Sequence, residues 1–204
     1  AAAPAGGRDV AGARKWGDCG RDRNQRDKGG KVQLRGCGPT RDGSVLCLDE
    51  PEGRNLTLMD RTTVKGQKFE FGRSEVHRGF YQMASSDAKN NCQFIMTPDE
   101  PDLNLVFRTK QLTSGKSAPQ STENKVWFTY ENFSRVNNNQ VRGLRKQLKD
   151  SPFRAQVEQQ IADKEMELVQ KQHELMDANP GTYIAKFLGW KNPKYPGSQG
   201  NFFD

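Results

Sequence analysis

Apolar positions are sparse along this chain, and changes in their spacing divide it into four zones. Residues 1–30 are rich in Gly, Arg and Asp and have no period of two or 3.6, which predicts an extended basic arm. From 31 to 130, short apolar runs alternate with turn residues, as in a small antiparallel β unit. The strand candidates are 31–37, 44–48, 55–60, 67–71, 92–96 and 103–109, with 126–130 as one more. Between the first two, Gly38-Pro39-Thr40-Arg41-Asp42-Gly43 has the turn chemistry of a hairpin connector. In Lys68-Phe69-Glu70-Phe71, alternation puts both rings on one face. Pro98 and Pro101 bracket a turn, and 113–124 reads as a polar loop.

Residues 131–181 read as helical. Val141, Leu144 and Leu148 fall on one face of a first helix over 139–150. Ser151-Pro152 then restarts the chain as N-cap and first helical residue. From 152 to 178 the stripe Phe153, Val157, Ile161, Leu168 and Leu175 recurs at spacings of four and seven, and Asn179-Pro180-Gly181 ends it. So narrow a stripe suits one docking surface, either on a partner or on the chain's own β unit. Residues 182–204 interleave aromatics with Pro and Gly and read as an extended tail whose rings dock in partner pockets. The expected fold class is therefore α+β with much irregular structure: basic arm, β unit, helices, tail.

Composition sharpens the dependence on partners. Leu, Ile, Val and Phe make up roughly a fifth of the chain, near the limit at which burial stops offsetting chain entropy. Mean hydropathy is -0.93. The net charge of +7 is too small for a self-repelling disordered chain, which leaves folded patches that borrow core from an assembly. Residues 1–45 carry ten Lys or Arg against five Asp, so an acidic partner is expected. Arg21-Asp22-Arg23 and Arg26-Asp27-Lys28 mix in carboxylates that a phosphate-tracking arm avoids, so the expected partner is an acidic protein, not nucleic acid. No apolar run approaches the ~20 residues of a bilayer span, and membrane insertion is not expected. Ala1-Ala2-Ala3-Pro4-Ala5-Gly6-Gly7 resembles the start of a chain after transit-peptide cleavage.

No catalytic constellation is legible. Thr113-Ser114-Gly115-Lys116-Ser117 resembles a phosphate loop, but Lys110 stands where the earlier Gly belongs. His77 and His173 are far apart and neither is tied to a nucleophile by a known spacing. The four cysteines, Cys19, Cys37, Cys47 and Cys92, include no C-x-x-C pair, which argues against zinc. Two disulfides are arithmetically open, and the chain's length argues against a disulfide-stapled domain.

What stands out is cysteine beside arginine and aspartate: Cys19-Gly20-Arg21-Asp22, and Arg35-Gly36-Cys37 with Arg41-Asp42. This set suits an open-chain tetrapyrrole. A thiol adds to a vinyl or ethylidene carbon to give a thioether, Arg pairs with the propionates, and an Asp carboxylate accepts from pyrrole N–H groups. Idle cysteines in an Arg-rich stretch are the plainer reading.

Lys31-Val32-Gln33-Leu34-Arg35-Gly36-Cys37, a Gly/Pro turn and a second strand over 44–48 resemble the start of cryptophyte phycobiliprotein alpha chains, and of the red-algal phycobilisome scaffolding proteins related to them. Cys19-Gly20-Arg21-Asp22 is similar to the bilin site of ordinary phycobiliprotein subunits. The likeness covers 31–48, and Gln33 and Leu34 replace the acidic residue common in that motif. It implies a scaffold or linker subunit of a phycobilisome, at the stromal face of the chloroplast thylakoid, that organises acidic phycoerythrin hexamers. It also implies a covalent, phycoerythrobilin-like bilin at Cys37 or Cys19. A basic structural subunit of an organellar ribosome or respiratory complex is the competing reading, and an enzyme built around His77 or a cysteine is the third.

Overall fold

The computed structural model describes residues 30–72, 74–86, 89–148 and 152–191. Among the described residues, nine strands precede three helices. The strands are β1 (Gly30–Cys37), β2 (Val45–Glu52), β3 (Asn55–Thr63), β4 (Lys68–Glu70), β5 (Ser74–Val76), β6 (Gly79–Ser85), β7 (Asn91–Met96), β8 (Asp102–Phe107) and β9 (Lys116–Ser117). The helices are α1 (Thr122–Gln147), α2 (Arg154–Ala178) and α3 (Tyr183–Lys191). The mixed α+β class expected from the pattern is the class observed.

The strands form two sheets. One runs β4-β1-β8-β9, with β5 beside the first half of β1; the other runs β3-β2-β6-β7. The first is mixed, because β1 and β8 are parallel, with Arg35 opposite Asn104. The expected hairpin between β1 and β2 does not form. Both edges of β1 are taken, by β8 on one side and by β4 and β5 on the other, so the 38–43 connector carries the chain into the second sheet.

β1 alternates as a half-buried strand does: Val32, Leu34 and Gly36 point inward, while Lys31, Gln33, Arg35 and Cys37 point outward. Gly36 is required on the inner face. A Cβ there would meet the Phe69 ring at 2.2 Å and the Leu105 carbonyl oxygen at 2.5 Å. Phe69 and Phe71 share a face as expected, edge to face with centroids 6.0 Å apart. β6, which the pattern did not single out, is the most buried strand. Residues 80–84 are buried on both faces, so no period-two signal exists there.

The run 126–130, expected to be a strand, lies in α1. Ser121 caps that helix by accepting from the Asn124 N–H at 3.0 Å, so helix geometry begins at Thr122, far ahead of the expected start at 139. Val126, Trp127 and Tyr130 then fall on one buried face at helical spacing. The supposed polar loop over 113–124 holds β9 and the first turn of α1.

α1 also covers the outer edge of β7. The Asn124 Oδ1 accepts from the Ile95 N–H at 2.7 Å, its Nδ2 donates to the Ile95 carbonyl at 2.8 Å, and the Trp127 indole N–H donates to the Gln93 carbonyl at 3.3 Å. A side-chain amide thus stands where a neighbouring strand would be.

α2 returns along α1, tied by Asn137 to the Lys164 carbonyl at 2.7 Å and by Gln172 to the Tyr130 hydroxyl at 3.0 Å. Its stripe is only partly used: Val157 and Leu175 are buried, Ile161 and Leu168 half-buried, and Phe153 is 69% exposed. It packs on α1 and α3, so the surface it docks on is the chain's own helices.

The span expected to begin an extended tail is instead helical over Tyr183–Lys191. Ile184, Phe187 and Leu188 are buried, and Phe187 meets Phe80 with centroids 4.6 Å apart. The Glu123 carboxylate holds the start of α3, accepting from the Tyr183 and Ile184 N–H groups at 2.8 and 2.9 Å, where a helix favours negative charge. Buried residues of both sheets, α1, the end of α2 and α3 form one continuous cluster. Across the described residues the chain therefore supplies a core of its own despite its low apolar content. Aromatic rings carry much of it.

Candidate functional site

The outward face of β1 opens into a groove of about 870 Å³. Arg35, Gly36 and Cys37 form one wall, and residues of β3, β4 and β8 form the others. Cys37 is half-buried, a free thiol opposite Lys68 of β4 and Val106 of β8. Arg35 ion-pairs with Asp102 at 3.2 Å, with both side chains more than half exposed. Three more cations reach the same groove: Arg61 from β3, Lys65 from the following turn and Lys68 from β4. Among the described residues none of these three is ion-paired to a carboxylate. Against these four cations stand Asp102 and Glu70, so the groove is net positive.

Of the seven residues singled out in the sequence, the structure brings Arg35 and Cys37 together in this groove. Cys19, Arg21 and Asp22 lie outside the described residues. Arg41 is exposed in the connector and Asp42 lies beside it; neither lines the groove. The Asp42 carboxylate is engaged locally, accepting from the Gly66 and Gln67 N–H groups at 3.2 and 3.0 Å. That bond fastens a two-residue turn in which Gly66 and Gln67 both have positive φ, 56° and 60°. The turn in turn places Lys65 and Lys68 opposite each other, with hydrogen bonds of 2.9 and 3.0 Å between their main chains.

Arg61, Lys65 and Lys68 escaped the sequence reading because each is an unremarkable surface cation in its own segment. Only the fold gathers them. The available signal was Lys65-Gly66-Gln67-Lys68, a cation on either side of a turn glycine.

The other cysteines occupy different settings. Cys47 is half-buried in β2. Cys92 is buried in β7, and burial pushes its thiol up from 9.0 to about 12; nearby Glu131 adds to the rise, while Lys116 and a hydrogen bond with the Met83 main chain oppose it. Lys116, the lysine of the phosphate-loop-like run, pairs with Glu131 at 2.6 Å and lies 4.9 Å from the centre of the Phe128 ring. Its side chain is 6% exposed, so it serves the packing of β9 on α1 and offers nothing to a phosphate. His77 is exposed, and its main chain holds the Tyr81 hydroxyl from both sides at 3.0 Å. Among the described residues no group of three or more His, Cys, Asp or Glu is placed to hold a metal, and no helix is long and apolar enough to cross a membrane.

No protein-family model matches the chain, and no curated protein matches it.

Proposed function

We propose that the chain is a non-catalytic scaffold subunit of a phycobilisome-like antenna, binding and organising acidic phycobiliprotein hexamers on the stromal face of the chloroplast thylakoid. The observation that carries this reading is the position of Cys37. The strand with the family likeness presents its thiol in an open, net-basic groove instead of burying it. Phycobiliproteins are acidic, and a basic groove on an otherwise self-sufficient fold is a surface they would complement.

The same groove is the proposed seat of a bilin. Its volume falls in the range of small-molecule sites, roughly 300–1,000 Å³. Cys37 would add its sulfur to a vinyl or ethylidene carbon, with the thiol proton passing to the tetrapyrrole. Arg35, on the same strand, would pair with a propionate, and the Glu70 carboxylate would accept from pyrrole N–H groups. Such a group would supply visible absorption.

Isolation of the protein from the cells that make it, followed by an absorbance spectrum and the masses of its cysteine peptides, tests this reading. A visible bilin band from co-purifying phycobiliprotein is expected. An ultraviolet nucleic-acid band with no visible band would favour the ribosomal alternative. Unmodified mass on all four cysteines would remove the bound bilin and leave the scaffold.

A further inference from the structure

The groove has a second property besides charge: one of its walls is the open edge of a sheet. Arg61, Thr62 and Thr63 are consecutive and all line it. Successive side chains of a strand point to opposite faces, so β3 presents main chain as well as side chains there. β3 is the last strand of its sheet and pairs with β2 alone among the described residues. The Val64 N–H donates to the Ser44 carbonyl at 2.9 Å, and the register continues with Thr63 opposite Val45 and Thr62 opposite Leu46. Antiparallel bonding alternates, so Thr62 bonds to β2 while the main chains of Arg61 and Thr63 turn outward. The Asp60 carboxylate takes the Arg61 N–H at 2.7 Å. The Arg61 carbonyl and the N–H and carbonyl of Thr63 therefore point away from β2, on an edge whose residues 61–63 line the groove.

An outward-facing donor and two acceptors on an extended edge, beside three cations with no carboxylate partner among the described residues, define a complement. We propose that this edge receives an extended, carboxylate-rich peptide segment of the partner. The segment adds to β3 at Arg61–Thr63 and places its acidic side chains against Arg61, Lys65 and Lys68. Main-chain bonds supply part of the affinity, and the charges select which strand is accepted. A nucleic-acid strand fits less well. It has no N–H and C=O alternation to match the edge, and Glu70 and Asp102 would oppose its phosphates. The inference rests on the scaffold reading for the source of the segment, but its chemistry can be tested separately.

The full chain is titrated with purified phycoerythrin hexamers, with a Glu/Val-alternating decapeptide and with a single-stranded oligonucleotide of equal charge. Three variants are compared with the unmodified protein. Arg61→Glu with Lys65→Glu and Lys68→Glu reverses the groove charge. Thr63→Pro removes the edge donor and leaves the charge alone, a substitution edge strands tolerate. Arg142→Glu with Lys146→Glu reverses exposed cations on α1 as a control. The inference expects at least about tenfold weaker peptide binding for the first two variants and less than about twofold change for the control. Peptide affinity unchanged in the charge-reversed groove, or tighter binding of the oligonucleotide than of the peptide, overturns it. Hexamers that bind all variants equally place the docking surface elsewhere, so the inference fails and the scaffold reading stands. Peptide binding that follows the groove while hexamers do not bind at all keeps the inference and removes that reading.

Discussion

Gln67 holds φ at 60°, a conformation that L side chains adopt at a cost, and it does so because the turn carrying Lys65 and Lys68 needs two left-handed residues. Gln67→Gly should therefore raise stability by about 1 kcal/mol, and Asp42→Ala, which frees the two turn amides, should lower it by about 1–2 kcal/mol. Chemical denaturation of both variants checks the pair. Cys92 gives a prediction with a defined pH window. Its folded-state value of about 12 lies above 9.0, so the folded state holds the proton after the unfolded chain has released it. The associated stability is fully present below pH 9 and is lost as pH rises towards 12, at up to about 1.4 kcal/mol per pH unit. Cys92→Ala should flatten that part of the stability–pH curve relative to the unmodified protein, whatever the substitution costs at neutral pH. Equal slopes for both proteins would contradict the placement of this thiol in the core. At this scale the sequence was partly legible. Arg35 and Cys37 stood out by adjacency, whereas Asp42 looked like a ligand group and is a turn anchor, because a carboxylate's partners 24 residues away cannot be read from its neighbours.

Elements with a clean period were readable and those without one were not. β1 alternates and was found; β6 is buried on both faces and left no alternation to find. The run Val126–Tyr130 is too short for its apolar content to separate strand from helix, and the deciding feature was the Ser121 cap one turn earlier. α3 was hidden because its helix signal is brief, and its start depends on Glu123, 60 residues back. Asn124 is the element-scale test. Its amide completes the edge of β7, so Asn124→Leu leaves the Ile95 N–H and carbonyl buried without partners. The expected loss is about 2–4 kcal/mol, from one to two kcal/mol for each stranded group. Native-state hydrogen exchange should show the Ile95 amide, protected in the unmodified protein, exchanging faster. A loss below about 0.5 kcal/mol would mean that α1 does not cover this edge.

For the whole molecule, low apolar content led to the expectation of a core borrowed from partners. Aromatic packing instead joins both sheets and all three helices in one cluster. Phe80 alone meets Trp127, Tyr183 and Phe187, with centroids between 4.6 and 6.0 Å. Large rings bury more area per residue than aliphatic counts suggest, which is why composition understated the core. For the proposed scaffold role this shifts the emphasis: the described domain would offer a partner a preformed surface, the basic groove around Cys37. Sedimentation of the purified protein with phycoerythrin hexamers, at low and at high salt, tests the scaffold role most directly. The account predicts saturable co-sedimentation at low salt that weakens as salt screens the groove. Hexamers and protein that sediment separately at every salt concentration would contradict it.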